Sequence, residues 1–205
     1  MHAWRSRLAR WFDRPARACP LSPNAITIIA LGINIAAAAC MYAGTRRPIL
    51  FLVSVALLTV GGLADAFDGI VARVQGKSSK YGDFLDHVAD RVSDTAIAAG
   101  WMLGSGVRDL MLVLALVVVG MNGYIGTQIE ATWRERNYES VGRGEFVLAL
   151  IVFPIISYIV IDNGWAGWSF AALSVAEWLT TVLIVVGLYG IVQRLILAAR
   201  LERTR

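Results

Sequence analysis

Six apolar runs, each near the length of a membrane crossing, take up most of this chain and dictate what it can become. They fall at about residues 24–43, 48–73, 83–104, 109–132, 144–161 and 169–199 of 205. A hydrocarbon core of about 30 Å needs roughly 20 helical residues to cross it, so six helices leave no room for a sizeable soluble domain. Composition agrees: 57% of residues are apolar and 17% charged, whereas soluble domains carry about 25% charge. The expected fold class is all-α integral membrane, with six transmembrane helices behind an N-terminal amphipathic juxtamembrane helix.

Residues 1–19 form that juxtamembrane segment. Five arginines (Arg5, Arg7, Arg10, Arg14, Arg17) alternate with Trp4, Leu8, Trp11 and Phe12, a spacing suited to a helix lying on an anionic lipid surface. Pro20 and Pro23 break the chain, and Asn24 is the expected cap of the first membrane helix. The membrane domain then runs over 20–205. The basic start and Ala37-Ala38-Ala39-Cys40 resemble a signal peptide, but the apolar run exceeds the usual signal core and more runs follow, so a retained helix is expected. Cys19 and Cys40 have no metal-ligand spacing and receive no role.

The net charge of +4 reports topology and not a nucleic-acid partner. Sorted by alternate connections, one side of the membrane collects fifteen Lys and Arg and the other only Arg46, Arg47 and Arg108, with Arg91 inside a run. The positive-inside rule places both termini in the cytoplasm of a protein of the cell's inner membrane. Gly120, Gly123 and Gly126 are expected to let helices pack closely.

The acids are distributed very unevenly. Asp65, Asp68, Asp83, Asp86, Asp90 and Asp94 lie within 30 residues that also belong to two membrane runs, where ionised side chains are costly and functional by default. Steps of three and four put each set on one helix face. Counted at 1.5 Å per residue from the connection at 74–81, Asp68 and Asp86 stand about 8 Å along their helices and Asp65 and Asp90 about 14 Å. Joined by so short a connection, the two helices are expected to be antiparallel neighbours, and four carboxylates converge at the cytoplasmic boundary. Their mutual repulsion calls for a cation, and oxygen-only ligands favour magnesium or manganese, then calcium. Gly69, Gly82 and Arg73 beside them would let a phosphorylated ligand approach the backbone and pair with a guanidinium.

Asp65-Ala66-Phe67-Asp68-Gly69-Ile70-Val71-Ala72-Arg73, eight residues, then Gly82-Asp83-Phe84-Leu85-Asp86-His87-Val88-Ala89-Asp90 resembles the signature D-x-x-D-G-x-x-A-R-(x8)-G-x-x-x-D-x-x-x-D of the CDP-alcohol phosphatidyltransferases. The likeness is detailed from Leu21 to Asp94 and architectural beyond. It implies an enzyme of phospholipid biosynthesis that moves a phosphatidyl or similar phosphoalcohol group from a CDP-alcohol, such as CDP-diacylglycerol, to a small alcohol acceptor and releases CMP. It implies further that Asp65, Asp68, Asp86 and Asp90 hold two Mg2+ or Mn2+ ions, Asp90 also acting as the base. Asn24, Asp65, Asp68, Gly69, Ala72, Arg73 and Gly82 would bind the CDP moiety. A homodimer is the common family state.

For the acceptor, Asp90-Arg91-Val92-Ser93-Asp94 is similar to the aspartate-arginine run of the phosphatidylinositol-phosphate synthase-like members. Those enzymes place Ser, Lys and Arg on the fourth span, where this chain has Gly123, Gly126 and Gln128. Acceptor phosphate is therefore expected at Arg134, Arg136 or Arg143 near the cytoplasmic end of that span, or at Arg194 in the last one, with Arg143 and Arg194 favoured and inositol phosphate or another polyol as acceptor. His87, about 100° around the helix from Asp86, is expected to tune the site. A cation transporter using intramembrane aspartates is the alternative from a different class; against it, the acids gather at one boundary and the outer halves of both helices are apolar. Membrane prenyltransferases, a second rival, need a longer chain and two acidic motifs far apart.

Overall fold

The computed structural model describes residues 12–133 and 143–203, without the side chains of 143–145 and 147. Six long helices follow one another: α1 (Pro23–Tyr42), α2 (Ile49–Val74), α3 (Lys80–Gly104), α4 (Asp109–Trp133), α5 (Arg143–Asp162) and α6 (Val175–Arg203). Residues 12–18 are helical ahead of them. The rest of the basic juxtamembrane segment, including Arg5, Arg7 and Arg10, lies outside the described residues, as do Arg134 and Arg136.

Of these helices, α1, α2, α4 and α6 are long and apolar enough to cross a membrane, and α5 contributes a shorter apolar stretch, Leu148–Asp162. Among the described residues, length and composition thus support four crossings, where six were expected. α3 differs because Lys80, Asp83, Asp86, Asp90, Arg91 and Asp94 all fall in its first fifteen residues.

Local chemistry sets the helix ends. α1 is capped by Ser22, whose hydroxyl accepts the Ala25 N–H at 3.2 Å, and not by Asn24. Pro23 explains the difference: its fixed φ and missing N–H suit the first helical position, so the cap falls to the residue before it. At the end of α2, Gly76 adopts φ 65° and the Lys77 N–H returns to the Ala72 carbonyl at 2.8 Å, a left-handed stop that glycine permits. Ser79 then caps α3 by accepting the Gly82 N–H at 3.0 Å.

Packing departs from expectation in one respect that matters for the site. α1 packs extensively on both α2 and α3, whereas α2 and α3 make few close backbone contacts with each other. The connection is short enough to pair them, but α1 supplies a common wall, and the acidic faces meet across a space. Away from the acids, α3 is locked to α1 by glycines: a Cβ on Gly104 or Gly100 would collide with the backbone of Met41 or Ala38. The main core gathers there around Trp101, Met102, Met41, Phe51 and Phe153. Trp101 donates to the Ser157 hydroxyl at 3.0 Å.

The final helix begins later than its apolar run. Residues Trp165–Gly167 form a 3-10 turn, and Ser169–Phe170 pairs antiparallel with Leu173–Ser174. α6 starts after Ser174 because that residue and Glu177 cap each other: the Ser174 N–H donates to Glu177 Oε2 at 2.9 Å and the Glu177 N–H to the Ser174 hydroxyl at 3.2 Å. This is the reciprocal capping box.

Candidate active site

Three carboxylates are drawn together at the end of the bundle where α2 stops and α3 starts. Oxygens of Asp65, Asp68 and Asp86 all lie within 4.8 Å of one another. Asp65 and Asp68 share a face of α2, and Asp86 reaches them from α3. Asp68 is buried, while Asp65 and Asp86 are half-exposed, so the cluster opens outward. Anions held this close in a low dielectric repel strongly, and an all-oxygen donor set of this kind fits a hard divalent cation.

Asp90 sits one turn above Asp86 on the same face of α3 and is buried. It extends the acidic wall without joining the cluster of three. Asp94, another turn on, is also buried and meets Arg91 Nη2 at 3.4 Å.

The remaining expected residues frame the opening. A Cβ on Gly82 would stand 3.1 Å from Asn24 Oδ1 and 3.3 Å from Ser79 Oγ, so α1 and α3 approach closely there and Asn24 is brought to the site. Arg73, exposed, folds back over Gly69: its Nη1 would lie 3.4 Å from a Cβ at that position. Ala72 lies between them, half-buried, its carbonyl spent on the helix stop. His87, beside Asp86, is half-exposed.

Sequence reasoning missed Thr27. Its hydroxyl, buried, donates to Asp68 Oδ2 at 2.6 Å from α1, fixing the deepest carboxylate of the cluster from behind. The available signal was a hydroxyl three residues after Asn24, on the same face of an apolar helix. The glycines of α4 also act differently from expectation. Gly123 and Gly126 accommodate the side chains of Arg91 and Arg194 in place of a helix backbone, and Gly120 has open space beside it. The Arg194 side chain thereby lies against α4, while the side chain of Arg143 lies outside the described residues.

A sequence profile described as CDP-alcohol phosphatidyltransferase matches residues 20–186. Among similar proteins, the archaetidylinositol phosphate synthase of Pyrococcus horikoshii is 31% identical over 142 residues, 69% of this chain and 73% of that one. The phosphatidylinositol phosphate synthase of Mycobacterium marinum is 30% identical over 169 residues, 79% of this chain and 68% of that one. The crystal structure of Mycobacterium tuberculosis phosphatidylinositol phosphate synthase with CDP-DAG bound superposes with a TM-score of 0.69, covering 94% of each chain at 25% identity. The form of that enzyme in complex with manganese and citrate gives 0.66, covering 94% of this chain and 87% of that one at 26% identity.

Proposed function

The chain belongs to the CDP-alcohol phosphatidyltransferase family, and from that premise we propose that it transfers a phosphatidyl group from CDP-diacylglycerol to a phosphorylated inositol or similar polyol. It is a multi-pass membrane transferase of phosphate-containing groups, and CMP is its leaving product. The observation that carries the reading is the meeting of Asp65, Asp68 and Asp86 within 4.8 Å, with buried Asp90 one turn beyond.

Asp65, Asp68 and Asp86 would hold the divalent metal, Mg2+ or Mn2+, and Asp90 would share a second ion. A metal bound there would supply positive charge to the diphosphate and to the CMP phosphate as it leaves. Thr27 holds Asp68 in place, keeping one carboxylate lobe fixed as substrates come and go. Asn24, Gly69, Ala72, Arg73 and Gly82 would receive the cytidine and diphosphate: the glycines admit the ligand to the backbone, and Arg73 offers N–H donors to phosphate. Asp90 takes the proton of the acceptor hydroxyl as its oxygen forms the new bond to phosphorus. The P–O bond to the CMP phosphate breaks with its electron pair leaving on CMP. Arg194, level with Asp90, and Arg143 would meet the acceptor phosphate.

A crossing α3 completes six spans, its apolar half in the bilayer and its acidic half lining the site at the cytoplasmic boundary of the inner membrane. At that level an acyl tail stays in lipid while CMP departs to water. Residues 20–205 form this domain behind the juxtamembrane segment 1–19, and two copies associate as a homodimer.

Purified protein supplied with CDP-diacylglycerol, magnesium and a panel of inositol phosphate, inositol, glycerol phosphate and serine should release CMP with inositol phosphate above the rest. Release with none of them, together with cation flux in liposomes, would replace this reading with a transporter.

A further inference from the structure

Arg91 and Asp94 have no task in the reaction above, yet both occupy α3 at a depth where charged groups are costly to place. At 1.5 Å per residue, Arg91 lies about 16 Å along α3 from Lys80, and Asp90 about 15 Å. Measured from the same end of the bundle, Gly123 lies about 15 Å along α4 from Trp133, and Arg194 about 14 Å along α6 from Arg203. Four groups from three helices therefore share one level, that of the proposed base.

Their contacts converge on α4. A Cβ at Gly123 would fall 2.8 Å from the guanidinium carbon of Arg91 and 2.9 Å from its Cδ, so only glycine leaves room for this side chain against the helix. One turn along, a Cβ at Gly126 would meet Arg194 Nε at 3.5 Å. Asp94 holds the other end of Arg91 at 3.4 Å. That contact is long for a charge-assisted bond and uses one arm of a fork with five N–H donors. Arg91 Nε is buried with no hydrogen-bond partner among the described residues, while the side chain as a whole remains 35% exposed. A guanidinium held loosely, with donors to spare beside Asp90, is arranged for a second anion.

We propose that Arg91, positioned by Asp94 and seated in the notch at Gly123, is a specificity-determining residue that binds the phosphate of the acceptor. The inference rests on the phosphatidyl transfer proposed above. It assigns to a side chain of α3 the anion recognition that α4, bearing glycine at both positions, does not supply. Asp94 is a positioning residue, acting through Arg91.

The test uses the full chain in lipid nanodiscs with magnesium and CDP-diacylglycerol, varying inositol phosphate against a fixed donor and then the donor against fixed acceptor. Arg91→Gln should raise KM for inositol phosphate by about 10- to 100-fold, the loss expected for a charge-assisted hydrogen bond, and leave KM for CDP-diacylglycerol within about twofold. Arg91→Lys should recover part of the loss. Inorganic phosphate should compete with the acceptor in the unaltered protein and compete at least about tenfold more weakly in Arg91→Gln. Gly123→Ala, which keeps both charges but fills the notch, should shift the same KM and serves if Arg91→Gln does not fold. An unchanged acceptor KM in the folded variants, or equal rises in both KM values, would overturn the assignment while leaving the transferase reading intact. Failure of the unaltered protein to release CMP with any phosphorylated acceptor would instead remove the reading beneath it.

Discussion

Between Ile97 and Gly104, α3 lies against α1 so closely that Gly100 and Gly104 meet the backbone at Ala38 and Met41, and Ile97, Ala98, Trp101 and Met102 are buried. Between Lys80 and Asp94 the same helix turns Asp86 toward the acids of α2, whose backbone it scarcely touches, and Arg91 toward Gly123 of α4, while α1 backs both α2 and α3. One end of the helix is fixed by close packing, and the other is left open around acids. The contrast teaches how a membrane bundle can support an ion-dependent site: rigidity at one end sets the direction of the helix, so carboxylates at the other keep their spacing without burying one another.

Breaking the acidic end should have the largest effect. Removal of divalent cations with a chelator should lower CMP release by roughly 1,000-fold or more, because several kcal/mol of charge stabilisation is lost, and magnesium or manganese should restore it. Asp90→Asn should cost about 10²- to 10⁴-fold in turnover while metal-dependent binding of CDP-diacylglycerol persists. Equal loss of both would make Asp90 chiefly a ligand. Thr27→Val, which removes the hydroxyl behind Asp68, should weaken metal affinity by about 10- to 100-fold, read from the magnesium dependence of the rate.

The packed end should respond in stability and not in metal dependence. Gly100→Val should destabilise the protein by about 1–3 kcal/mol through overpacking, seen as a lower Tm in detergent with an unchanged magnesium requirement. Trp101→Phe keeps an aromatic side chain but loses part of the buried indole and its bond to Ser157, and should cost about 1–3 kcal/mol. A Gly100→Val protein of normal Tm, or one with an altered metal requirement, would dissolve the distinction between the two ends.

Most of the acidic site was legible because its signal is local. Steps of three and four between aspartates fix a shared face on any helix, and the short link from α2 to α3 fixes their depth. What one chain segment does to another was not legible. Spacing within α2 and α3 says nothing of α1 lying against both, and it suggested direct pairing instead. Thr27 acts across 41 residues of sequence, and Gly123 and Gly126 gave no sign that arginines from two other helices lean on them. Two local signals outweighed the apolar pattern. Pro23 moves the α1 cap back to Ser22, and the Ser174–Glu177 box delays α6 within a continuous apolar run. Crossing number proved the least accessible, because the first half of α3 is rich in charge and α5 offers only the shorter apolar stretch Leu148–Asp162, so both lack the long uniform apolarity that marks α1, α2, α4 and α6.

The most direct measurement is anomalous diffraction at the manganese edge from crystals of the full chain grown with Mn2+ and CDP-diacylglycerol. The account predicts a peak bounded by carboxylate oxygens of Asp65, Asp68 and Asp86, with the diphosphate beside it. A peak elsewhere, or a nucleotide bound with no ion between those three aspartates, would contradict it.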